Sequence, residues 1–161
     1  MTEWKEKLMT HSRHGSASWR MAAQATLHCL TGCAIGEVLG MVIGTAAGWS
    51  AGPTVVLAIG LAFVFGYALT MRPLLRSGIG VRDALKVALA ADTVSILVME
   101  IIDNAIMLVV PGAMEAGLTE PLFWASLAFA LATAFVLTVP VNRWLITRGK
   151  GHAVVHQHHN H

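Results

Sequence analysis

Cys29, Cys33 and Glu37 follow one another at four-residue steps, and His28 stands one position aside. On a helix that spacing puts the three on one face. Thiolate, imidazole and carboxylate are the common protein ligands of Zn²⁺ and related ions. A second group, Asp92, Glu100, Asp103 and Asn104, lies within thirteen residues. Glu100, Asp103, Asn104 and Met107 share one helical face, and Asp92, Ser95, Met99 and Asp103 form an adjoining stripe. The chemistry these eight candidates, His28 to Asn104, point to is cation binding. Each also has a structural reading. The cysteines would be small packers, His28 would bond a carbonyl, and Ser95 and Asn104 would make interhelical hydrogen bonds. That reading leaves the acids unexplained, because a buried carboxyl group without a partner is costly.

The elements that must position these groups follow from composition. Of 161 residues, 55% are hydrophobic and 12% charged, and the mean hydropathy is +0.63. Disorder is excluded, since it needs low hydrophobicity and high charge. A formal net charge of +2 leaves no basic surface for nucleic acid. Only Glu37 is charged between Arg20 and Arg72, and nothing is charged between Glu120 and Arg143. A spanning helix needs ~20 apolar residues, and stretches at about 22–48, 54–71, 85–110 and 121–142 supply them. The expected fold is therefore all-α: a polytopic membrane protein with four transmembrane helices in a lipid bilayer. No segment alternates as a barrel strand would. Pro53, Pro73, Pro111 and Pro121 sit at or beyond span ends, and only Pro140 lies near the inside of one.

The loops around 49–53 and 111–121 contain no Lys or Arg. All eleven basic residues fall on the other side, which predicts that both termini are cytoplasmic. The chain divides into an N-terminal segment 1–20, a four-helix domain 21–144 and a His-rich tail 145–161. Spans 1 and 3 run the same way. Glu37 and Glu100 then lie roughly 16 Å from the outer ends, and Cys29 and Asp92 roughly 28 Å. If these spans pack together, their polar groups meet level by level. No Lys or Arg in a span interior neutralises the acids, so protons, a bound cation or donors such as Asn104 must do so.

Gly32, Gly36, Gly40, Gly44 and Gly48 repeat every four residues, the mark of a close helix–helix seam within or between subunits. His152, His156, His158, His159 and His161 crowd the tail, a composition that binds transition metals. Leu30-Thr31-Gly32-Cys33 matches a lipobox, but the apolar run continues past Cys33, so the match reads as coincidence. Cys29 and Cys33 read as free thiols, an intrahelical disulfide being strained.

The run Ala25-Thr26-Leu27-His28-Cys29-Leu30-Thr31-Gly32-Cys33-Ala34-Ile35-Gly36-Glu37 resembles a bacterial family, as do Asp92-Thr93-Val94-Ser95, Met99-Glu100-Ile101-Ile102-Asp103-Asn104 and Pro140-Val141-Asn142-Arg143-Trp144. This is similar to the family numbered 4396 among domains of unknown function, over about residues 20–156. The resemblance implies a small four-helix protein of the bacterial inner membrane and brings no activity.

The expectation is thus a membrane protein that binds and moves a transition-metal cation. His28, Cys29, Cys33, Glu37 and Asp92 join Glu100, Asp103 and Asn104 in a site between spans 1 and 3. Zn, Cu, Ni and Co all stay open, since thiols favour Zn²⁺ or Cu⁺ and carboxylates favour harder ions. A homo-oligomer or a partner membrane protein is expected, joined at the glycine face. The alternative is a scaffold or accessory subunit that moves nothing and docks a partner there. No hydrolase or cofactor motif points to an enzyme.

Overall fold

The computed structural model describes the backbone of residues 3–147 and the side chains of residues 19–147. The described residues form four α-helices: α1 (Glu3–Ala46), α2 (Ala51–Arg76), α3 (Val81–Val109) and α4 (Pro121–Thr147). The 44-residue α1 begins well before the expected span. Residues 3–20, read from sequence as a separate segment, are continuous with the first helix. Pro73 likewise lies inside α2, within its last turn. Pro121 opens α4, where its missing N–H costs nothing. The His-rich tail lies outside the described residues.

Among the described residues three helical stretches are long and apolar enough to cross a membrane: Trp19–Ala46, Ala51–Arg76 and Pro121–Thr147. The third expected span, α3, does not meet that measure, because Asp92, Glu100 and Asp103 interrupt it. Its outward face is nonetheless apolar: Leu85, Leu89, Val94, Leu97, Ile101, Leu108 and Val109 are exposed.

The helices form a square. Neighbours in sequence pack side by side, α1 closes the ring against α4, and α1 and α3 meet more lightly across the diagonal. The tightest pair is α1–α2. A Cβ added at Gly32 would stand 2.7 Å from the Gly66 backbone, and one at Gly40 would stand 2.6 Å from Ala58 Cα. Gly36 meets the backbone of Ala62, and Gly44 meets the Thr54 side chain. The partner face is equally small-stepped: Thr54, Ala58, Ala62, Gly66 and Thr70 are buried at every fourth position of α2. The seam is therefore internal to the chain. The glycine face expected to join an oligomer or dock a partner is covered by α2 from Gly32 to Gly44.

Gly48 does not belong to this seam. Its φ of +66° is a left-handed conformation that favours glycine. The Trp49 amide donates to Gly44 O at 2.9 Å, and the Gly48 amide donates to Thr45 O at 3.1 Å. That is the glycine-terminated helix stop, and it turns the chain into α2 within four residues, 47–50. Gly78 (φ +87°) ends α2 in the same fashion, with the Ile79 amide on Leu74 O at 3.2 Å.

Candidate functional site

The diagonal contact places two stripes against each other. On α1 the buried residues Cys29, Cys33 and Glu37 step by four, and the half-buried Met41 continues the series. On α3 the stripe is Ser95, Met99, Asp103 and Met107, all buried and again four apart. The helices are parallel, so the stripes match rung by rung. Cys29 neighbours Ser95. Cys33 and Met99 share one core cluster. Glu37 faces Asp103. Met41 packs against the core cluster that holds Met107. Asp92 and Glu100 stand beside the α3 stripe and complete it. The Cys29 thiol donates to Asp92 Oδ1 at 3.6 Å, and Cys33 neighbours Glu100.

The expected meeting of polar groups level by level is present at Cys29 and Asp92. At mid-height the register differs. Glu37 meets Asp103 chiefly and Glu100 second, because parallel stripes of equal step match Glu37 to the residue one turn beyond Glu100.

Three acids gather at mid-height. Glu37 is 7% exposed, Glu100 3% and Asp103 4%. No fixed donor reaches either oxygen of Glu37, which faces the Asp103 carboxyl instead, and Glu100 Oε1 and Asp103 Oδ1 lack a donor as well. The Lys86–Asp83 ion pair lies far from these groups, in an exposed turn of α3. Buried oxygens without a donor are the least stable feature of such a core.

These acids floor a cavity of about 560 Å³. Glu37, Glu100, Asp103 and Asn104 line it, and it extends past Met41, Met107 and Met114 to Trp49 in the α1–α2 turn and to Glu115 in the α3–α4 loop. It thus reaches the end of the bundle whose connections carry no Lys or Arg. Loop 110–120 wraps this mouth, held by buried Ala113 and Ala116 against Phe123 and Leu127 and by the Trp124 indole donating to Leu118 O at 2.9 Å.

The eight expected site residues do not form one cluster. Glu37, Glu100, Asp103 and Asn104 share the cavity, Cys33 lies below it beside Glu100, and Cys29 and Asp92 pair further down. His28 is half-buried and has its own contact. Among the described residues no three His, Cys, Asp or Glu side chains come together as a group able to hold a metal ion. The eight-residue set expected as a single site is therefore corrected to a series of pairs, spread along the helices by their four-residue steps of about 6 Å. Asn104 is a donor to an acid, as expected, but it acts within its own helix and not between helices. Its amide donates within α3, to Glu100 O at 2.9 Å and Glu100 Oε2 at 3.4 Å.

Three positions escaped the sequence reading. Asn142 of α4 donates to Thr26 Oγ1 at 2.8 Å and to Ser95 Oγ at 3.0 Å, tying α4 to α1 and α3. Thr70 of α2 reaches Asp92. Met41 extends the Cys29–Cys33–Glu37 series by one more step of four, a signal present in the sequence.

A family model described as a domain of unknown function (DUF4396) matches residues 18–151. No curated protein and no solved structure matches the chain.

Proposed function

The chain belongs to the DUF4396 family, and from that premise we propose that it is a four-span inner-membrane protein that binds a transition-metal cation and moves it along the α1–α3 contact. The observation that carries this reading is the cavity that ends on three buried acids, four of whose oxygens lack a donor. An acid placed so deep needs a proton, a cation or a donor, and no Lys or Arg lines the cavity among the described residues. Below the acids, Cys33 and then Cys29 with Asp92 offer further stations, so the site is a ladder of pairs with no closed chelate.

Four spans are supported by the apolar outward face of α3; Asp92, Glu100 and Asp103, the acids within its length, are all buried, as intramembrane acids are. Exposed tryptophans mark two levels, Trp19 and Trp144 at one end and Trp49 and Trp124 at the other. Trp124 and Trp144 are twenty residues apart on α4, about 30 Å of rise, which is the hydrocarbon thickness between two aromatic belts. Arg143 stacks 3.9 Å over the Trp19 ring, at the end that also holds Arg72, Arg76, Arg82 and Lys86. By the positive-inside rule that end, with both termini, is cytoplasmic, and the cavity opens outward. The docking-scaffold reading loses its surface, since α2 fills the glycine face.

The test is uptake of Zn²⁺, Co²⁺ and Cu⁺ into liposomes holding the full chain, compared with Glu37→Gln/Asp103→Asn. The expected result is uptake of at least one ion that falls more than tenfold in the double variant. Equal uptake by both proteins, or none by either, would overturn the reading.

A further inference from the structure

Three methionines stand among the residues that line the cavity above the acids. Met41 of α1, Met107 of α3 and Met114 of loop 110–120 all border it, and they pack into one cluster with Phe123 and Leu127. Three different elements thus bring a thioether to the same wall. Deeper, Met99 lies in one core cluster with Cys33 and Cys29. We propose that this interface is a thioether-and-thiol path for a soft monovalent cation of the Cu⁺ class, captured first at Met41, Met107 and Met114 and handed down to Cys33 and Cys29. The proposal rests on the cation-moving reading above and names its substrate class.

The chemistry fits in three ways. Thioether and thiolate ligands select Cu⁺ over harder divalent ions. A thioether is neutral, so the charge must come from elsewhere, and Glu37, Glu100 and Asp103 stand directly below, at least nine-tenths buried and with donor-free oxygens in the same cavity. Soft monovalent ions accept two or three ligands, and a ladder of pairs and trios offers that number at each level. A Zn²⁺ site needs three or four protein ligands closed around one point, and the described residues provide no such group of His, Cys, Asp and Glu.

The test uses the full chain in nanodiscs with ¹³C-methyl methionine, titrated with silver nitrate in chloride-free buffer. The methyl signals of Met41, Met107 and Met114 are expected to shift together, while Met21 and Met71, which do not line the cavity, stay in place. Zn²⁺ at the same concentration is expected to leave all five unmoved. Met41→Leu/Met107→Leu/Met114→Leu nearly conserves volume, so its melting temperature should stay close to the parent's while apparent Ag⁺ affinity drops more than tenfold. Still signals at excess silver, or shifts shared equally by Met21 and Met71, would overturn the proposal. The two readings fail separately. Shifts at the three methionines with no ion uptake would sink transport and leave the soft site standing. Carboxylate-dependent uptake with silent methionines would do the reverse.

Discussion

The Cys29 thiol of α1 donates a hydrogen bond to the Asp92 carboxylate of α3 across 3.6 Å, and both side chains are essentially excluded from solvent. This contact crosses the diagonal of the bundle near its basic end. A hydroxyl can replace the thiol as donor; a branched alkyl group cannot. Cys29→Ser is expected to keep thermal stability close to the parent's, and Cys29→Val to lose about 1–3 kcal/mol by removing a donor from a buried acid. Unfolding in detergent, followed by circular dichroism, separates the two. Burial also shields both cysteines, so maleimide should label neither until the protein is unfolded.

The α1–α2 seam makes a prediction with an internal control. At Gly36 an added Cβ would strike the backbone of Ala62, whereas at Gly60 it would meet nothing within 4 Å. Backbone cannot rotate away as a side-chain tip can. Gly36→Ala should therefore destabilise by about 1–3 kcal/mol. Gly60→Ala, in mid-helix and in open space, should be neutral or gain up to about 1 kcal/mol. Paired melting curves check the difference in sign.

Proton competition follows from the acids. A cation held at the Glu37–Asp103 pair displaces any proton the two acids carry. Affinity should rise with pH, by at most about tenfold per pH unit for each proton displaced. Glu37→Gln/Asp103→Asn removes both competing groups and should flatten the slope. Calorimetric titration of both proteins across a pH series measures it, and the comparison cancels any share of the His-rich tail.

Orientation is open to direct labelling. Trp49 lies in the turn at the cavity mouth, and Arg82 lies in the first turn of α3 at the opposite end. With Cys29 and Cys33 shielded, Trp49→Cys should react with an impermeant maleimide added outside intact cells. Arg82→Cys should react only after the membrane is opened. The reversed pattern would place the cavity on the cytoplasmic side.

Much of the fold was legible because its signals are local. The apolar stretches, the four-residue glycine series and the confinement of Lys and Arg to alternate loops each lie within one segment. The candidate acids were legible for the same reason: a carboxyl in an apolar run announces itself. What stayed hidden depends on how helices meet. Nothing in the glycine series says whether α2 or another chain fills it, since the complementary Thr54, Ala58, Ala62 and Gly66 stripe looks like ordinary apolar composition. The rung-by-rung match of α1 with α3 required the relative height of two helices, and a single turn of error turned Glu37–Asp103 into an expected Glu37–Glu100. Asn142 was hidden for the opposite reason. One amide near a span end is unremarkable until Thr26 and Ser95 arrive from two other helices.

The seam between α1 and α2 has one more consequence. A staircase of near-identical treads fits its counterpart at several offsets, and sliding by one tread, about 6 Å, would again set small residue against small. Shape alone therefore does not choose among the offsets. The choice falls to the four-residue bend 47–50, whose reach is short and whose geometry Gly48 sets. That bend is the arbiter of alignment for the pair, and through α1 it also sets the height at which Glu37 meets Asp103. Lengthening it would leave each helix intact and each tread in place, yet free the two stairs to shift against one another.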